Sequence, residues 1–186
     1  MKREDAFEKY KVTKVSTQKV VCNVYMDSFG IEKVRIQNFV YDSKESAEVY
    51  LDFSTVARLA IDAASGRLIK KIEEAERQYD VYIGGRAKGD DGKPLSRRMF
   101  LKKSGDKIFI NITEGPGKLS DTGAILPAGE PTVKIGVPVT IEDFREMLFY
   151  THDCVNAYLV SMVGKLVDQC EAERQAAKDA KEKNKN

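Results

Sequence analysis

The sequence predicts an α+β fold: two tandem repeats of antiparallel strands followed by a helix (ββββα twice), with the helices packed on one side of curved sheets. Three observations carry this. Val- and Thr-rich alternating stretches occur in two runs, each run ends in a capped amphipathic helix, and a shift of 88 residues superposes the two strand-to-helix junctions. Leu51 then meets Val139, Asp52 meets Thr140, and Phe53, Val56, Leu59 and Ala60 meet Ile141, Phe144, Met147 and Leu148.

Each element has a local reason. KVTKVSTQKVVCNVY (11–25) is rich in β-branched residues and reads as one or two strands, closed by turn chemistry at Asp27-Ser28-Phe29-Gly30. In EKVRIQNFVYD, Val34, Ile36 and Val40 point to one face, and Arg35, Gln37, Phe39 and Tyr41 to the other. A polar link, DSKES, leads to the short strand AEVYL. Asp52 then caps a helix whose Phe53, Val56, Leu59, Ala60, Ala63 and Ile72 recur at helical spacing, with Gly66 as a point of division.

The second run begins with DVYIGGRAKG, a strand entering the basic, Gly-rich loop DDGKP. RRMFLKK and KIFINITEG flank Ser104-Gly105-Asp106 as a hairpin. On one of its faces lie Ile108, Ile110 and Ile112, and on the other Lys107, Phe109, Asn111 and Thr113. A long loop over 114–132 holds three of the five prolines and precedes the strand TVKIGVPV. Thr140 caps the last helix, whose apolar positions are Ile141, Phe144, Met147, Leu148, Val155, Leu159, Met162 and Leu166. Phe149, Tyr150, Tyr158, Val160 and Val163 widen that stripe beyond what one sheet covers, which predicts a helix-mediated homo-oligomer. Residues 1–168 are expected to form one domain of two repeats (about 11–78 and 80–168). The charged stretch 169–186 lacks an apolar face and is expected to fray or be disordered.

Composition sets the limits. The 186 residues carry 31 Lys+Arg against 29 Asp+Glu, a net charge of +2, and 42% are hydrophobic, which excludes wholesale disorder. No apolar run approaches the ~18 residues of a membrane span. MKREDAFEKYK has no hydrophobic core of the kind a signal peptide needs. Cys22, Cys154 and Cys170 form neither a disulfide framework nor a zinc pattern, so a reduced, cytoplasmic setting is expected.

The small net charge conceals an uneven distribution. Residues 1–41 and 80–118, mostly strands, together carry +7, whereas 42–79 and 119–169, which contain the helices, carry −6. Within the strands the cations share faces with aromatic rings. Such a surface suits single-stranded nucleic acid, because cations neutralise phosphates and rings stack on unpaired bases. Arg35, Arg97, Arg98, Lys102, Lys103 and Lys107 are the expected phosphate contacts, joined by Arg86 and Lys88 from the Gly-rich turn. Phe39, Tyr41, Phe100 and Phe109 are the expected stacking residues.

This layout resembles that of the single-stranded-DNA-binding whirly family. It is also similar to the related transcriptional-coactivator family of positive cofactor four, in which dimerisation supplies the duplication. The resemblance is one of element order over about residues 11–168. Its best match is the second half, where strand, turn, strand, long loop, short strand and helix follow in the coactivator's order. It implies a curved antiparallel sheet gripping a strand of DNA, with helices behind it or against a partner, and a role in transcription regulation. No family residue is carried over; the site residues come from strand alternation alone.

Catalytic chemistry finds no constellation. His152 is the sole histidine, and its neighbour Cys154 projects from a different side of the same helix, so neither a metal site nor a Cys-His dyad is expected. Gly84-Gly85-Arg86-Ala87-Lys88-Gly89 lacks the spacing and the Lys-Ser/Thr ending of a phosphate-binding P-loop. Glu142, Asp143 and Glu146 occupy a helix N-terminus, where acids are favoured by the macrodipole. The expected function is therefore non-enzymatic, mostly sequence-independent binding of single-stranded DNA, without cofactor, metal or membrane. A protein-assembly module built on the helices, or an RNA-binding regulator, is the alternative.

Overall fold

A computed structural model describes residues 11–26, 33–89 and 92–183. The Asp27–Gly30 turn, Asp90 and Asp91 of the basic loop, the Leu166 side chain and both chain ends lie outside the described residues.

Among the described residues the fold is α+β, with two antiparallel sheets and three helices. The first sheet is formed by β1 (Lys11–Ser16), β2 (Val20–Met26), β3 (Lys33–Val40) and β4 (Ser46–Asp52), in the order β1-β2-β3-β4. The helices α1 (Phe53–Ala64) and α2 (Arg67–Glu74) follow. The second sheet contains β5 (Tyr79–Arg86), β6 (Leu95–Ser104), β7 (Lys107–Leu119), β8 (Ile125–Pro127) and β9 (Val133–Thr140), with β9 pairing β7 on the side away from β6. The last helix is α3 (Ile141–Lys183).

Alternation determines what each face buries. In the first sheet Cys22 and Val24, Val34 and Ile36, and Val49 and Leu51 share one face and are almost fully buried. In the second, Met99 and Leu101, Ile108, Ile110 and Ile112, and Ile135, Val137 and Val139 do the same. Strands β3 and β4 lie against β7 and β9, α1 against β3 and β4, and α2 against β6. Asn38 is fully buried between the sheets, and its Nδ2 donates to the carbonyls of Ile110 (2.8 Å) and Ile135 (3.0 Å). These two bonds pin one sheet to the other and offset much of the cost of burying an amide. Burial also pushes the Cys22 thiol up to about 12.

The helix after β4 divides at Gly66, whose φ of 75° reverses the chain between α1 and α2. Val56, Leu59, Ala60 and Ala63 of α1 and Leu68 and Ile72 of α2 are buried. Asp62, also buried, receives Arg67 at 3.1 Å and Lys71 at 2.6 Å from beyond the break. The hydrogen bond from Lys71, reinforced by Arg67, holds its carboxyl below the usual range.

The two helix starts differ. Thr140 Oγ1 accepts the amide of Asp143 at 3.0 Å and donates to its carboxylate at 2.7 Å, a capping arrangement. Asp52 stands at the corresponding place but makes no side-chain cap, and instead pairs with Lys33 at 3.3 Å. Its cross-strand neighbour is a lysine, and the carboxylate turns to it.

The stretch 114–132 is more ordered than a long loop. Strand β7 continues to Leu119 and turns at Gly123 (φ 82°), and β8 returns, pairing Gly117 with Pro127 and Leu119 with Ile125. Ile125 closes over two glycines. A Cβ at Gly117 would stand 2.8 Å from its Cγ2, and one at Gly85 would collide with the Leu95 carbonyl. Prolines disguised this hairpin in the sequence; Pro127 and Pro138 sit on edge strands, where a missing N–H is tolerated.

Two compact units divide the chain, Met1–His152 and Asp153–Asn186. The second is helical to Lys183, past the point near 169 where the sequence loses its apolar face, and is continued there by the helix formers Glu171, Ala172, Glu173, Ala176 and Ala177. Among the described residues no helix is long and apolar enough to cross a membrane.

Candidate nucleic-acid interface

Register places the hairpin residues in rows across the second sheet. Arg98 faces Thr113 and then Lys134; Phe100 faces Asn111 and then Gly136; Lys102 faces Phe109 and then Pro138. Arg98, Phe100, Lys102, Lys107 and Phe109 therefore share the face away from the aliphatic core. Lys102, Lys107 and Lys134 are exposed there and take part in no ion pair among the described residues, and Phe109 is half-buried between Lys102 and Lys107. Phe100 is only 6% exposed. Arg98 covers it, with its guanidinium 5.6 Å from the ring centroid, while Asp80 takes Arg98 Nε at 2.8 Å and Nη2 at 2.7 Å.

Arg97 and Lys103 fall one residue out of phase and so lie on the opposite face. Lys103 pairs with Glu73 of α2 at 2.8 Å. Arg97, with its side chain 8% exposed, enters a cluster that joins the sheets. At its centre is Glu48 of the edge strand β4, which receives Arg35 (3.3 Å) from its own sheet and Arg97 (3.3 Å) and Arg86 (3.5 Å) from the other. Arg97 Nε is also 3.4 Å from Glu114 Oε2, an ion-pair separation at which the N–H is not aligned for a hydrogen bond. The backbone amide of Glu48, directed out of the open edge of β4, donates to Glu114 Oε1 at 2.8 Å. Tyr50 donates to Glu48 at 3.2 Å, and burial, then the Glu48 charge, pushes its phenol upward. Arg35 lies 4.2 Å over the Tyr25 ring.

The first sheet's remaining candidates stand apart. Phe39 is half-buried, and Tyr41, 44% exposed, meets it edge-on at 5.9 Å in the turn after β3. Lys88 is exposed in the loop after β5 and forms no ion pair among the described residues. Of the eight predicted cations, five are thus engaged by carboxylates: Arg35, Arg86 and Arg97 by Glu48, Arg98 by Asp80 and Lys103 by Glu73. Lys88, Lys102 and Lys107 remain available.

Sequence reasoning missed Glu48, Glu114 and Asp80, which decide which cations are free, and Lys134, which alternation in TVKIGVPV places on the outward face. Among the described residues no group of three or more His, Cys, Asp or Glu side chains is arranged to hold a metal ion. No protein-family model matches the chain, and no curated protein does either.

Proposed function

We infer that this protein binds single-stranded nucleic acid, DNA by preference and largely without regard to sequence, on the outward face of its second sheet, and that it performs no covalent chemistry. The observation that carries this reading is the half-buried Phe109 ring flanked by the exposed Lys102 and Lys107, with Lys134 further along the same face. Phosphates take the place of counterions at such lysines, and an unpaired base finds an apolar surface between them. Duplex DNA keeps its bases from such contact. The two passes of strands and helix are, in the same reading, diverged copies of one ββββα unit related to the whirly and positive-cofactor-four layout.

Fluorescence-anisotropy titration at two salt concentrations tests it, using single-stranded DNA, single-stranded RNA and duplex DNA of equal length. Affinity for the single strand is expected to fall steeply with salt and to exceed that for the duplex. Absence of binding at low salt overturns the reading.

A specific observation also favours assembly. Helix α3 exposes Phe149, Tyr150, Leu159, Val160, Val163 and Val167, more apolar surface than a solitary helix leaves in water. A homo-oligomer formed through this helix accounts for it, and sedimentation equilibrium reads it directly.

A further inference from the structure

Beside the lysine rows the outward face of the second sheet holds an open groove of about 230 Å³, lined by Arg98, Phe100, Thr113, Gln78, Glu130 and Lys134 among others. Its charges suit no phosphate. Arg98 is neutralised by Asp80, and the free Lys134 is matched by the free carboxylate of Glu130. What remains above one flat cation is the Thr113 hydroxyl and the carbonyl of the Gln78 amide, whose NH2 already donates to Asp80 at 3.3 Å. The volume is below the ~300–1,000 Å³ of pockets for drug-sized ligands, so it fits one small planar group.

The flat cation is well defined. Both oxygens of Asp80 grip the guanidinium through two parallel bonds, which fixes its plane as well as its position. One side of Arg98 lies toward the Phe100 ring at cation–π distance, and the side chain, 31% exposed, lines the groove. Phe100 itself is too covered to receive a base.

The geometry points to a single-nucleobase site in this groove, in which one unpaired base stacks on the Asp80-clamped guanidinium of Arg98 while Thr113 and Gln78 meet its edge. Bases stack on guanidinium planes as they do on aromatic rings. Lys102 and Lys107, outside the groove, then take the flanking phosphates. The inference rests on the reading of this face as a single-strand binder and adds where, and on what, a base is held.

The test compares the parent chain with Arg98→Lys and Asp80→Asn. Each is titrated by fluorescence anisotropy with a labelled single-stranded DNA and with an abasic strand of the same length. Arg98→Lys keeps the charge and the Asp80 pair but removes the plane. It is expected to weaken the base-bearing strand about tenfold and leave the abasic strand and the salt dependence unchanged. Asp80→Asn frees the guanidinium's charge, so both strands are expected to bind more tightly and with a steeper salt dependence. The preference for the base-bearing strand over the abasic one is expected to fall, a ratio independent of how Arg98→Lys folds. An unchanged preference in both variants overturns the base site and leaves the strand-binding reading standing. Failure of the parent chain to bind either strand at low salt overturns both.

Discussion

The polar faces of the two sheets are built from the same residue types and put to opposite uses. In the first sheet Arg35 lies on Tyr25 and is held by Glu48, which also draws Arg86 and Arg97 across from the second sheet. Three guanidiniums and the two carboxylates Glu48 and Glu114 gather at the junction of the sheets, leaving one positive charge in excess. In the second sheet Lys102, Lys107 and Lys134 face outward and form no ion pair among the described residues. A cation count along the chain treats the two alike. What separates them is one glutamate on an edge strand, close enough to the neighbouring sheet to gather its arginines.

The sharpest way to break this contrast is Glu48→Ala. It removes the carboxylate that Arg35, Arg86 and Arg97 share, the first and last of them over nine-tenths buried, so a loss of about 3 kcal/mol is expected in urea denaturation. A change below about 0.5 kcal/mol would show the cluster to be incidental. Ile125→Ala comes next, because the β8 side chain that fills the Gly85 and Gly117 hollow leaves a cavity there; about 2 kcal/mol is expected by the same measurement.

Smaller is the effect of pH. The depressed carboxyl of Asp62 contributes stability that is present above the unfolded carboxylate value, near 3.9, and lost as pH falls through the lower folded one. Asp62→Asn should therefore flatten the acid limb of the melting curve and leave the neutral region's slope unchanged. The raised Tyr50 phenol acts at the other end, where stability falls as pH rises past its unfolded value, near 10; Tyr50→Phe should reduce that alkaline loss. Smallest on stability, within about 0.5 kcal/mol, is the pair Lys102→Glu with Lys107→Glu. The same pair should lower the salt slope of single-strand binding by roughly one per phosphate contact removed, which makes it the cleanest separation of the two faces.

Much of the fold was legible because it depends on local rules. The period of two in EKVRIQNFVYD and KIFINITEG put Ile36 and Ile110 inside and Lys107 and Phe109 outside, and Gly66 marked the helix break. The site was less legible, for a physical reason. Whether an arginine is available depends on acids far away in sequence, and Glu48 meets Arg97 only after two sheets have formed and met. Arg97 and Lys103, adjacent to outward-facing residues, show how a single step along a strand exchanges one face of the sheet, and its partners, for the other. The β8 hairpin was hidden because Gly115, Pro116 and Gly117 signal a turn, while their role is to let Ile125 and the 130–132 segment approach the backbone.

Cys22 gives the molecule an internal reporter. A thiol with no exposed surface and an ionisation pushed up to about 12 offers neither access nor thiolate to an alkylating reagent, whereas Cys170 is exposed and Cys154 partly so. Cys170 should be modified at once, and Cys22 only in the moments when β2 separates from its core. With Cys154 and Cys170 replaced by serine, the alkylation rate of the remaining thiol becomes a clock for the opening of the first sheet in the native protein, readable without denaturant.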